Sequence, residues 1–597
     1  MPSAQAGLAA AELGQALQQA MTLARSGRSD AAEAMLNRIL DRLPGQPDAL
    51  QLLGMIARQS GRQQDAVALF RRSLAANPAQ PHVLNNLGNS LSDLGRHDEA
   101  VAAYRDAMRL QPGYADAAVN LGLALIASGD RPGAAAVLGP LLHRDPRNAR
   151  AWASLGQALD GDEAIGALRQ SLALRPDHVP TRHNLAVALR LAGRAAEALP
   201  LFERCRAADP ATPEIAYNHG HCLQDLGRID DAVTAYGATI ALRPTDRAAH
   251  ASLNRLLWQH GRTHVWLASY RAALSRHSGD QGLLADYGAS LLLAGHADQA
   301  AALLAPHVDG AGAELRYQHG RALWSLGKAD AALAAFRSAL PFAPAAREAA
   351  RIGIILDRPT DALPLLDDLL AADPADQQAL AIQGLAWRFT EDPRETWLND
   401  VSRFVSEAVL TPGDGDVAGF NARLDAALTP LHRATQSPLD QTLRGGTQTS
   451  DDLFALPLPE VAAVRAMIEA RLHAWIAELP EDGNHPFLRR KSTGFAFSGS
   501  WSVRLRSAGF HENHIHPEGW ISAVYYVALP DAVAQDEQGW LKFGESGLRL
   551  GHRERIARIV RPEVGKLVLF PSYFYHGTVP FEDAGHRTTI AFDVVPA

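Results

Sequence analysis

A period of 34 residues constrains this chain more than any other feature. Prolines recur at Pro44, Pro78, Pro112 and Pro146, each 34 residues after the last. Between them lie a Leu-Gly or Leu-Ala pair, a second glycine, an alanine and a large apolar residue. Leu87-Gly88, Gly95, Ala100, Tyr104 and Pro112 make one complete set; Leu185-Ala186, Gly193, Ala198, Phe202 and Pro210 make another. A chain that repeats in this way buries its apolar surface by stacking one copy on the next. Small residues let two helices approach, the large one fills the gap, and proline ends the second helix. The pattern runs from about residue 13 to 376, giving about eleven units and a partial one around Gly384. Units ending at Pro176 and Pro374 are about four residues short, with a trimmed turn between their helices.

The set of positions is identified as the tetratricopeptide repeat. The resemblance implies an all-α superhelical solenoid over 13–390, with a long concave groove suited to a protein or peptide partner. Consensus residues serve packing and do not encode the ligand. One other position is more informative: Asn86, Asn120, Asn184 and Asn218 each stand just before the Leu-Gly position of their unit. In register they resemble the asparagine ladder of protein O-GlcNAc transferases, which implies an extended peptide held by its backbone. A carboxamide has the chemistry for this, offering both a donor and an acceptor.

After Trp387 the period dissolves. Residues 391–455 read as a linker or docking segment, with a sharp Gly-Gly turn in the run 439–449, where Arg444 offers one cation. The stretch 458–480 reads as an amphipathic helix on the outer face of a C-terminal domain spanning 456–597. In that domain His514 and His516 stand one residue apart, so an extended strand points both to one face. His576 follows 62 residues after His514 (576 − 514), and Arg587 another 11 on (587 − 576). Arg587 and Thr589 alternate on an apolar strand. A guanidinium in such a place needs an anion, and its planar fork suits a carboxylate.

The ordered set resembles the Fe(II)- and 2-oxoglutarate-dependent oxygenases, closest to a bacterial and phage branch reading His-x-His-Pro, then Ser-x-x-Tyr-Tyr-Val, then Phe-Pro-Ser…His. It covers about the last quarter of the chain. It implies a double-stranded β-helix of jelly-roll type, with Fe(II), 2-oxoglutarate and O2 as reactants and succinate and CO2 as products. His514 and His576 match two iron ligands, and Arg587 with Thr589 the cosubstrate clamp. The departure is His516, which stands where the family carries a carboxylate. Either three imidazoles hold the iron, or the pair is His516 with Glu518. Of Tyr525 and Tyr526, a period-2 strand turns only one toward the cosubstrate. His511, His552 and His586 read as ordinary histidines.

A net charge of −8 argues against a nucleic-acid surface. Cys205 and Cys222 give no disulfide or zinc spacing and read as buried thiols. The first residues lack a signal-peptide pattern and no apolar run is long enough for a membrane span, so a cytoplasmic protein is expected. The expected function is a dioxygenase, a hydroxylase in its simplest outcome, acting on a protein or peptide in the groove. The alternatives are the same chemistry on a small molecule or glycan, with repeats for assembly, and a scaffold whose jelly roll has lost iron.

Overall fold

A computed structural model of the chain describes residues 10–432, 442–449, 452–548 and 550–597. The first nine residues, and 439–441 at the head of the Gly-Gly run, lie outside them. The chain divides into two compact units at Pro210/Ala211.

The first unit is a run of antiparallel helix pairs, such as Pro81–Asp93 with His97–Leu110 and Val179–Leu191 with Ala195–Ala208. Each pair closes through glycine packing. A Cβ on Gly88 would sit 2.5 Å from the Tyr104 ring, and one on Gly54 2.6 Å from Phe70. At the turn between helices, Gly95 adopts φ +73°, which an L side chain rarely takes. Filling the contact with Gly88→Ala should therefore cost about 1–3 kcal/mol by overpacking, read as a lower urea midpoint. An unchanged midpoint would mean that the ring swings aside freely. Of the two short units, the one ending at Pro176 has a turn, Leu159-Asp160, one residue shorter than usual, and most of its deficit falls on the helix Ala149–Ala158, which has 10 residues where its counterparts have 13. In the other the turn has ordinary length, and the deficit falls on the preceding helix, Ala329–Ser338, which has 10 residues where its counterparts have 14.

The second unit continues with helix pairs from Pro213 to Ala372 and a further helix, Gln377–Phe389. Among the described residues nine strands follow: β1 Ser406–Val409, β2 Leu443–Gln448, β3 Phe495–His511, β4 Ile521–Ala528, β5 Leu541–Phe543, β6 Arg558–Val560, β7 Lys566–Pro571, β8 His576–Thr578 and β9 Arg587–Pro596. They form two antiparallel sheets, β1-β7-β4-β9-β3-β2 and β6-β5-β8, the sheet pair of a jelly roll.

The segment 391–455 thus supplies two strands of the larger sheet. Its Gly-Gly is a bulge within β2, where pairing to β3 shifts between Arg444 and Gly446, and not a turn between elements. The helix Pro459–Glu478 buries Val461, Val464, Ile468, Leu472 and Trp475, a helical stripe that packs with Ile590, Phe592 and Val594 of β9. The same core takes in Leu380 and Trp387 of the helix Gln377–Phe389 and Leu398, Phe404, Tyr573 and Phe574. Arg388 donates to the Gly544 carbonyl at 2.9 Å, and the Tyr573 hydroxyl to the Leu398 carbonyl at 2.7 Å. Arg553 pairs with Asp357 at 2.8 Å. No described helix is long and apolar enough to cross a membrane. Cys205 and Cys222 are buried.

Candidate metal centre

His514, His516 and His576 come together, each with a ligand atom within 4.8 Å of the others. Backbone pairing sets this arrangement. His514 N donates to the His576 carbonyl at 2.9 Å, His576 N returns a bond at 3.0 Å, and His516 N donates to the Ser572 carbonyl at 2.9 Å. Two alternate residues of one extended segment therefore face the same way, with β8 beside them.

The ring nitrogens settle what the cluster can do. Nδ1 of His514 lies 2.7 Å from the Glu512 carbonyl, and Nδ1 of His576 2.9 Å from the Phe574 carbonyl. Nδ1 of His516 meets both oxygens of Asp593 at 2.7 and 2.8 Å. All of these partners accept, so each Nδ1 carries a proton, and the neutral tautomer with that proton has its lone pair on Nε2. Nε2 of His514 and Nε2 of His516 then stand 3.2 Å apart. Two lone pairs that close repel unless a cation lies between them, and nitrogens on adjacent positions of an ion with bonds of ~2.1 Å stand about 3 Å apart. Burial, with His516 next in effect, pushes His514 down to about 3, and burial with His514 holds His576 well below the usual range. Neutral imidazoles are the form a metal requires. Glu518 is exposed and outside the cluster.

On β9, Arg587, Thr589, Ala591 and Asp593 share one face by alternation. Tyr526 of β4 pairs with Thr589, whereas Tyr525 pairs with Ile590 and so lies on the opposite, helix-covered face. The Arg587 guanidinium stands over the Tyr526 ring, 5.0 Å from its centre. Arg587 is 2% exposed. Neither its Nε nor the Tyr526 hydroxyl has a hydrogen-bond partner among the described residues. Burial lowers the Arg587 pKa, opposed by Tyr526. A carboxylate is the group this cation lacks. Val503 and Leu505 of β3, paired with Thr589 and Arg587, wall the same face with Phe581.

Two residues of this neighbourhood, Asp593 and Trp501, escaped the sequence reading, and a third, His511, was read as ordinary. Asp593 backs His516, Trp501 stacks on His516 at 5.7 Å between ring centres, and His511 lies 5.7 Å from the His514 ring. His511 is half-buried, with its pKa lowered by burial, His514 and Arg587, so it belongs to the site's surroundings. Only Asp593 left a signal, its even spacing from Arg587. His586 meets Arg504 at 2.6 Å, on the other side of β3, and His552 is exposed. Arg444 pairs with Glu512 at 3.1 Å.

Among the asparagines, Asn120 gives its Nδ2 to Asn85 and Asn89, each at 3.0 Å, and its Oδ1 accepts from Arg150 at 3.2 Å. Asn86 and Asn184 are half-buried on their helices. Asn218, in the second unit, donates to the Glu214 carbonyl at 3.0 Å.

The sequence model of a family described as "Putative 2OG-Fe(II) oxygenase" matches residues 499–593. Models of the tetratricopeptide repeat match 17–81, 91–159, 160–213, 189–256 and 313–345. No curated protein matches the chain. Among solved structures, the chain is similar to a tetratricopeptide repeat protein from Parabacteroides merdae (16% identity, TM-score 0.36, covering 41% of this chain and 98% of that one). It is also similar to yeast Tom70 (13%, 0.35, 65% and 97%) and to YrrB, a TPR protein with an unusual peptide-binding site (21%, 0.26, 31% and 96%).

Proposed function

For a chain that joins tetratricopeptide repeats to a C-terminal 2OG-Fe(II) oxygenase domain, we propose a dioxygenase that hydroxylates a protein or peptide recruited by the repeats, in the reducing cytoplasm. The observation that carries this reading is the set of three imidazoles whose Nδ1 atoms are all engaged, so that their Nε2 lone pairs converge. His514, His516 and His576 would hold Fe(II), and three ligands on one side leave positions for other reactants. Arg587, with Thr589 beside it, would take the far carboxylate of 2-oxoglutarate, and Tyr526 would steady it. When bound, iron and 2-oxoglutarate supply an oxidant from O2, with release of succinate and CO2. The chain's own part is to fix those reactants, place the substrate C–H and keep water out.

Purified protein should release succinate only when Fe(II) and 2-oxoglutarate are both present. Absence of turnover in iron-loaded protein across a peptide and protein substrate panel would favour the scaffold reading. A second substrate class, a small molecule or glycan, gains support from Asn120, whose carboxamide is already engaged by its neighbours. Trapping partners with His576→Ala, then with Asn86, Asn120, Asn184 and Asn218 also replaced by alanine, separates the two. Capture should fall with the asparagines gone, and unchanged capture would end the peptide reading.

A further inference from the structure

We propose that Asp593 is a positioning residue for the metal: acting through His516, it supplies the negative charge that a directly bound carboxylate would otherwise bring. The inference rests on the preceding reading that the three imidazoles hold iron. It starts from an asymmetry among their supports. His514 and His576 lean on neutral carbonyls, whereas His516 alone donates to a carboxylate, and to both of its oxygens. Asp593 is 8% exposed. Among the described residues it has no arginine or lysine partner; the ring it meets is His516. A buried carboxylate without a cation is costly, so its charge acts on the imidazole. It holds the proton on Nδ1 and pushes electron density toward Nε2, as acids behind metal-bound histidines do.

The surroundings fix this geometry from several sides. The Ser522 hydroxyl donates to Asp593 at 2.6 Å and lies 2.8 Å from the Ser572 hydroxyl, and the Ser572 carbonyl receives His516 N. Trp501 stacks on the His516 ring. A Cβ on Gly519 would come 2.3 Å from Ser572 Oγ, so the chain closes tightly over the hydroxyl pair. His516 occupies the place of a carboxylate ligand, and the carboxylate stands one bond network behind it.

The test is anaerobic Co(II) titration of the full-length protein, read by affinity and by the visible absorption of the bound ion. Asp593→Asn keeps an acceptor oxygen and removes the charge. It should weaken Co(II) binding 10–100-fold and shift the absorption bands, with the circular dichroism of the wild type retained. Ser522→Ala, which leaves the charge and removes one hydrogen bond, should weaken binding several-fold less. Wild-type affinity and spectrum in Asp593→Asn would overturn the proposal while leaving the three-histidine site intact. If Asp593→Asn does not fold, Ser522→Ala decides: a measurable loss of affinity supports the proposal, and none overturns it. Failure of the wild type to bind Co(II) would instead remove the metal reading itself.

Discussion

His576→Ala should abolish metal binding and turnover while leaving the fold in place. The backbone bridge between His514 and His576 uses main-chain atoms only, so the substitution removes one Nε2 and keeps the strand pairing. Losing an outer support of a ligand already costs 10–100-fold in metal affinity; losing a ligand should cost on the order of 100-fold or more. Isothermal titration with Fe(II) under argon, beside a thermal melt of the apo-protein, separates site loss from unfolding. Glu518→Ala belongs in the same series. Its side chain is exposed and outside the histidine cluster, so it should bind iron as the wild type does. The reverse pattern, with Glu518 essential and His514 or His576 dispensable, would restore the carboxylate ligand set.

Arg587→Met should move function and stability in opposite directions. With no cosubstrate, the guanidinium is buried without an acid partner among the described residues. Exchanging it for an apolar side chain of similar length removes that desolvation cost and keeps packing on Tyr526. The apo-protein should gain roughly 1–3 kcal/mol, seen as a higher melting temperature. If Arg587 takes the far carboxylate as proposed, the same change deprives 2-oxoglutarate of its counter-charge. Truncating one side of a buried ion pair costs about 2–5 kcal/mol, so the 2-oxoglutarate dissociation constant should rise on the order of 100-fold, with Fe(II) affinity little changed. A variant that is less stable and binds 2-oxoglutarate normally would show that Arg587 serves packing.

The repeats could be read from the chain because each unit carries the same packing problem, and its solution recurs at fixed spacing. The histidines were accessible for a related reason, since a strand's period of two decides which neighbours share a face. Register was not accessible. That Tyr526 rather than Tyr525 stands over Arg587's side of the sheet follows from the pairing of Tyr526 with Thr589, which neither tyrosine's neighbours reveal. Asp593 has the same history: its even spacing from Arg587 was visible, but its meeting with His516 depends on two segments 77 residues apart. The Gly-Gly of β2 read as a turn because glycines usually mark one, yet Gly445, at φ +66°, serves a bulge.

The turn that delivers His576 begins with Tyr573 and Phe574, whose rings lie in one apolar core with Leu380, Trp387 and Leu398. A C-terminal fragment trimmed to the sheets would leave that core open to water, and β1 is itself contributed from before residue 410. Transplanting this domain onto another repeat array, or liberating it with a protease, therefore cannot follow the seam where the repeat pattern fades. The closing helices of the array are inherited with the sheets.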